Sequence, residues 1–125
     1  MPEKALEHRA RQLSYLTGKA HGLLTSKKTL KLLERAETEM PEDATQAANV
    51  RGLRRDIDKA TKLPQKLVEE ESQVTTLAKA AWAEARGKSD FAMFAPHLEK
   101  VLTIARKEVA QRLRDWASQV GALRL

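Results

Sequence analysis

The sequence predicts an all-α fold: an up-and-down antiparallel bundle of about five helices, four long and one short. Three observations predict it. Apolar residues recur at steps of three, four and seven along almost the whole chain, with no period-2 stretch between them. The five glycines and four prolines stand singly, where helices would begin, end or approach one another. The segments between the periodic runs are short, and short loops favour antiparallel neighbours. The 125 residues read as a single helical domain, 1–125, long enough to bury a core.

The first helix is predicted over Glu3 to Leu24, with Leu6, Leu13, Leu16, Ala20, Leu23 and Leu24 on its inner face. Pro2 suits its start, and Glu3 and Glu7 lie near the positive end of the helix dipole. Gly18 and Gly22 weaken its last turns by about 1 kcal/mol each relative to alanine. Four apart, they share a face, which predicts a close helix–helix contact. Thr25-Ser26 offers the N-cap of a short second helix, Lys27 to Glu37, with Leu30, Leu33 and Ala36 inward. Met40-Pro41-Glu42-Asp43 breaks the chain. A third helix, Asp43 to Lys62, turns Ala47, Val50, Leu53, Ile57 and Ala60 inward, with Gly52 at another tight contact. Asp56 with Lys59 and Asp58 with Lys62 are spaced as outer charge pairs.

Pro64 marks the next joint, because the residue before a proline avoids the helical region. The fourth helix is predicted from Gln65 to Arg86, burying Leu67, Val74, Leu77, Ala78, Ala81 and Trp82, with Gly87 as its stop. Ser89 or Asp90 caps the following turn, and Phe91, Met93 and Phe94 supply bulk at the corner. The fifth helix is predicted from Ala95 to Val120, with Leu98, Val101, Leu102, Ala105, Val109, Leu113, Trp116 and Val120 along one stripe. Gly121 would end it, leaving Ala122 to Leu125 as a tail.

Composition narrows the chemistry. Cysteine is absent, which excludes disulfides and thiolate metal sites. No apolar run approaches the roughly 20 residues that span a bilayer, and the N-terminus shows no apolar signal segment. The default expectation is a cytoplasmic protein with no membrane partner. The net charge is +6, but basic residues are interleaved with acids rather than gathered in runs. Arg51, Arg54, Arg55, Lys59 and Lys62 form a basic side on the third helix, read chiefly as a solvated surface; nucleic acid is not the expected partner.

His8, His21 and His97 lack the i, i+4 spacing that sets two imidazoles on one metal. His97-Leu98-Glu99-Lys100-Val101 opens like a zinc motif but has Val101 where the second histidine belongs. Glu69-Glu70-Glu71 sits in the first turns of a helix, where the dipole and solvent explain acids. No nucleophile elbow and no glycine-rich phosphate loop is present. Trp82, Phe91 and Phe94 read as a hydrophobic lock between the fourth and fifth helices, with a ligand box as the other reading. No catalytic, cofactor-binding or metal-ligating residue is therefore assigned.

One stretch carries a resemblance. Leu63-Pro64, Leu67-Val68 with Glu70, Trp82 followed by Ala85-Arg86, and then Asp90-Phe91, Phe94, Pro96 and Leu98 are spaced as in the thermostable (Taq-type) zinc carboxypeptidases. Met1-Pro2, Arg9, Leu13, Ala20-His21, Leu24, Ala47-Ala48-Asn49-Val50-Arg51 and Arg54-Arg55 extend the similarity over roughly residues 1–108, leaving 109–125 divergent. The resemblance implies the N-terminal helical region of that family, which forms a wall or lid of the substrate channel. Family members use zinc or another divalent metal to release C-terminal amino acids. Their His-Glu-x-x-His motif lies outside the matching stretch, so no cofactor is assigned to this chain. The expectation is a stand-alone homologue or fragment, inactive alone, that acts as a packing or interaction domain.

The alternative is a basic helical module for nucleic acid or an acidic partner. The expected partner is a second copy, as a homodimer, or another helical protein, with Leu113, Trp116 and Val120 as the candidate interface. Tyr15, Leu13 and Leu16 form a second apolar set near the start. Two arrangements of the last helix are open: it folds back and buries Trp116 within its own chain, or it leaves Trp116 outside for a partner.

Overall fold

The structure is a computed structural model that describes residues 2–123. These residues form five α-helices and no strand: α1 (Glu3–Leu24), α2 (Lys27–Thr38), α3 (Ala44–Thr61), α4 (Gln65–Lys88) and α5 (Phe91–Leu123). Met1, Arg124 and Leu125, which belong to the quoted Met-Pro match and to the expected tail, lie outside the described residues.

The chain punctuates its helices with short polar side chains. Ser26 Oγ accepts from the Thr29 amide at 3.2 Å and starts α2. Asp43 Oδ2 accepts from the Gln46 amide at 2.9 Å and starts α3. Each satisfies one of the amides that a helix start leaves without an internal partner. Three boundaries differ from those predicted. Gly87 does not stop α4; the stop comes at Ser89, whose φ of 50° is left-handed, with the Asp90 amide donating back to the Ala85 carbonyl at 2.9 Å. The aromatic segment is no separate piece. Asp90 Oδ1 accepts from the Met93 amide at 3.4 Å, so α5 begins at Phe91 and contains Pro96. Pro96, in the second turn, lacks the amide that would bond to the Ala92 carbonyl, and the helix continues through it. Gly121 lies within α5, since a lone glycine costs about 1 kcal/mol and does not by itself end a helix.

Helix α4 is the spine. Helices α1 and α5 pack along it, and both run antiparallel to it. Helices α2 and α3 form a hairpin that also touches α1. The hairpin has its own core of Leu33, Val50 and Ile57, with Ala36 against it. Arg54 on α3 pairs with Glu37 on α2 and, at 3.4 Å, with Asp58. That pairing turns Arg54 toward α2 and leaves Leu53, expected inside, exposed. The outer charge pairs are correspondingly not those predicted: Asp58 pairs with Arg54, and Lys62 reaches Asp115 of α5 at 4.0 Å. Gly52 has no neighbour near its Cα hydrogens and marks no tight contact.

The close contact predicted at Gly18 and Gly22 is present between α1 and α4. The row Ala10, Ser14, Gly18 is buried, and a side chain added at Gly18 would collide with Glu69. Ser14 Oγ donates to the Glu69 carbonyl at 2.7 Å, and His21 Nε2 donates to the Leu63 carbonyl at 2.8 Å, fixing the joint before Pro64. Small residues at steps of four let the two backbones approach. The leucines beside that row are then turned outward, so Leu16, Leu23 and Leu24, expected inside, are exposed.

The accessible surface is 9600 Å², against roughly 6,700 Å² for a compact monomer of 14.0 kDa. The excess follows from the layered arrangement, in which α5 packs chiefly on one neighbour. Among the described residues no helix is long and apolar enough to cross a membrane.

Candidate functional site

The seam between α4 and α5 changes character along its length. Near the corner it is apolar: Ile104 is buried, and Phe94, Leu98 and Val101 are half-buried. Further along, the half-buried side chains of α5 are Glu108, which meets α4, Gln111, and Asp115, which reaches Lys62 just before α4. They continue the row of Ile104 at steps of four, three and four. From α4, Glu108 is met by Glu71, which follows the buried Leu67 by one turn. Burial, and then the neighbouring Glu108 carboxyl, push Glu71 above the ordinary carboxylate value, while Arg112 pulls it down. Among the described residues Glu108 Oε1 is buried and has no hydrogen-bond partner. Glu70 is held by Lys107 at 3.1 Å.

In the run Glu69-Glu70-Glu71 each residue is half-buried: the Glu69 side chain lies beside Gly18 of α1, Glu70 pairs with Lys107 at a largely exposed contact, and Glu71 meets Glu108. Counting one turn on from Leu67 and from Ile104 would have found Glu71 and Glu108 in the sequence.

The predicted interface residues lie on another face of α5. Leu113 is 59 % and Trp116 62 % exposed, and Val120 is half-buried. The last helix does not fold back to cover Trp116. Leu102, Ala105 and Val109, assigned to the inner stripe, are exposed as well, while the buried Ile104 was missed. Near the start, Tyr15 and Leu16 are exposed and Leu13 is half-buried.

At the corner, Trp82, Arg86, Phe91 and Phe94 line an open hollow of about 420 Å³. The Arg86 guanidinium lies 5.2 Å from the centre of the Trp82 ring, a cation–π distance. Trp82, expected in the core, sits at the edge of the seam and is partly exposed. Phe91 is 68 % exposed, so it locks nothing; only Phe94, half-buried, joins the two helices.

The histidines are dispersed. His8 pairs with Gln12 at 3.2 Å, and His21 is committed to the Leu63 carbonyl. His97 lines a groove with Leu6, Glu7, Leu77, Glu84 and Lys100. Among the described residues no three histidine, aspartate or glutamate side chains converge on one point. This donor set does not fit the divalent metal of the carboxypeptidases. Of the basic side on α3, Arg54 and Lys62 are engaged with acids. The hydrogen bond from Arg54 holds Glu37 below the ordinary carboxylate value, and the same bond raises Arg54.

Comparison with known proteins assigns this arrangement of helices. The family described as carboxypeptidase Taq (M32) metallopeptidase matches residues 1–120, past the point near residue 108 where the quoted motifs end. Thermostable carboxypeptidase 1 of Thermus thermophilus is 32 % identical over 111 residues, covering 86 % of this chain and 22 % of the relative. Thermostable carboxypeptidase 1 of Pyrococcus furiosus is 32 % identical over 107 residues, with 86 % and 21 % covered. Carboxypeptidase 1 of Bacillus subtilis is 27 % identical over 109 residues. The crystal structure of BsuCP has the same fold over 89 % of this chain and 22 % of its own, with a TM-score of 0.81 at 23 % identity. The chain thus spans about a fifth of the length of the curated relatives it matches. On the match over residues 1–120, this chain belongs to the carboxypeptidase Taq (M32) metallopeptidase family.

Proposed function

We propose that this chain is the helical wall or lid portion of a Taq-type metallocarboxypeptidase and carries out no peptide hydrolysis by itself. Its role is to pack or to bind another protein surface. The observation that carries this reading is the coverage: the chain matches its family nearly end to end, yet corresponds to about a fifth of each relative. The dispersal of His8, His21 and His97 over the start of α1, its end and the first turns of α5 supports it. So does the apolar surface on α5, which suits a scaffold that meets another protein.

The test is direct. The purified chain, given zinc or cobalt and a blocked dipeptide, is expected to release no C-terminal amino acid above the metal-only rate. Hydrolysis that survives repurification and stops with a chelator would overturn the reading.

A further inference from the structure

The α4–α5 seam divides at Glu108. On the side toward the corner, Ile104 is buried, and Phe94, Leu98 and Val101 stand half-buried with it. Beyond Glu108 no described residue of α5 is buried. Among the described residues, the polar tie from that end to the rest of the chain is Asp115 with Lys62, at 4.0 Å. An ion pair of that length at a partly exposed site contributes little. Arg114 and Gln119 bond only within α5 itself.

Two carboxyls stand at the division. Glu71 of α4 and Glu108 of α5 each follow a buried apolar residue, Leu67 and Ile104, by one turn. They lie within hydrogen-bonding reach of each other. Glu108 Oε1 is buried, and among the described residues no donor meets it. A buried oxygen left without a donor is costly, and two carboxylates in contact disfavour their joint ionisation. One proton answers both: a protonated Glu71 donates its O–H to the Glu108 carboxylate. The surrounding charges do not take its place. Glu70 is held by Lys107 at 3.1 Å and Asp115 by Lys62. Arg112 favours the ionised form of Glu71, but burial and Glu108 outweigh it. Helix α1 meets α4 through other residues: Ser14 at the Glu69 carbonyl, Thr17 with Ser72 at 3.3 Å, and His21 at the Leu63 carbonyl.

We propose that Glu71 and Glu108 form a proton-operated latch: one proton shared between them holds the end of α5, residues 109–123, against α4, and its loss lets that end swing away while the rest of the bundle stays folded. The latch does not depend on the role proposed for the chain. With the end open, both carboxyls are in water and titrate in the ordinary range. With the end closed, burial and the Glu108 carboxyl hold Glu71 above its ordinary value of 4.5. The closed form is therefore favoured in full below the ordinary value and loses that advantage as pH rises through the raised one. One proton is linked to the opening. The ratio of open to closed thus rises by at most about tenfold per pH unit between the two values and levels off outside them.

Distances between two spin labels on the whole chain read the latch, and the absence of native cysteine makes the labelling clean. Labels at Lys66→Cys and Ser118→Cys, both exposed, should give one short distance in acid. A second, longer distance is expected to grow as pH rises, by up to about tenfold per unit relative to the short one. Labels at Lys79→Cys and Glu99→Cys, on the corner side, should keep one distance throughout, and helical ellipticity should hold. Glu71→Gln keeps a donor for Glu108 and has no proton to lose, so it should hold the short distance at every pH. Glu70→Gln, which cuts only the tie to Lys107, should leave the lengthening in place. A single distance at all pH values in the parent would overturn the proposal. So would lengthening that persists in Glu71→Gln or vanishes in Glu70→Gln. Lengthening of both label pairs together with loss of ellipticity would mean unfolding of the whole bundle and would overturn it equally.

Discussion

The contact between α1 and α4 and the outer face of α5 invert the usual relation between side-chain size and burial. In the first, the buried row is Ala10, Ser14 and Gly18, while Leu16, Leu23 and Leu24 face solvent. In the second, Leu113 and Trp116 stand exposed while Glu108, Gln111 and Asp115 are half-buried. The first contact gains from backbone proximity and from hydrogen bonds that cross it, from Ser14 and from His21. In the second, the buried Ile104 seats α5 on α4, the Lys107–Glu70 and Asp115–Lys62 pairs lie along the same side, and the apolar side is left over. Helical periodicity identifies that a face exists; which face is covered depends on what the neighbour offers.

The largest effect is expected within α5. Ile104 is 4 % exposed, and Ile104→Ala should cost about 2–4 kcal/mol in a denaturant melt, as truncation in a core does. A cost near zero would mean that the α4–α5 seam is not a core. Next in size is Gly18→Leu. The added side chain must displace Glu69, and forcing volume into a close helix contact costs about 1–3 kcal/mol. Ser14→Ala removes only a hydroxyl that donates to an already helical carbonyl, with an expected loss of about 1 kcal/mol.

Acid–base behaviour sharpens the same contrast. Glu71 is raised above its ordinary value of 4.5 by burial. Folding then favours its protonated form, so its contribution is complete below the unfolded value and is lost as pH rises through the folded one. Glu71→Gln should therefore be more stable than the parent at neutral pH, with the advantage vanishing in acid. Glu37 works the other way. Its lowered value, caused first by the hydrogen bond from Arg54, gives stability that is present above the unfolded value and lost as pH falls through the folded one. Thermal melts of Glu37→Gln across the same range should show the opposite slope difference. The smallest effect is expected of Leu113→Ala, within about 0.5 kcal/mol for the single chain, as for other exposed positions.

That the chain is helical, nearly where each helix runs, and which family it belongs to were legible in its residues. Local causes suffice for these: the 3.6-residue period, the caps at Ser26 and Asp43, the joint at Pro64, and the spacing from Trp82 to Leu98. Gly18 and Gly22 even announced the contact they make, since glycine in a helix has little other compensation. Which residues lie inside depends on the packing of helix against helix. Leu16, Leu23, Leu53 and Val109 are as apolar as Leu33 or Ile104, yet they are exposed. The rotation each helix adopts brings together residues distant in sequence: Glu37 with Arg54, Ser14 with the Glu69 carbonyl, Glu70 with Lys107, and Lys62 with Asp115. A helix carries its amphipathic pattern in its own residues. The angle at which it presents that pattern is fixed by the partners it meets, and those are specified nowhere within it.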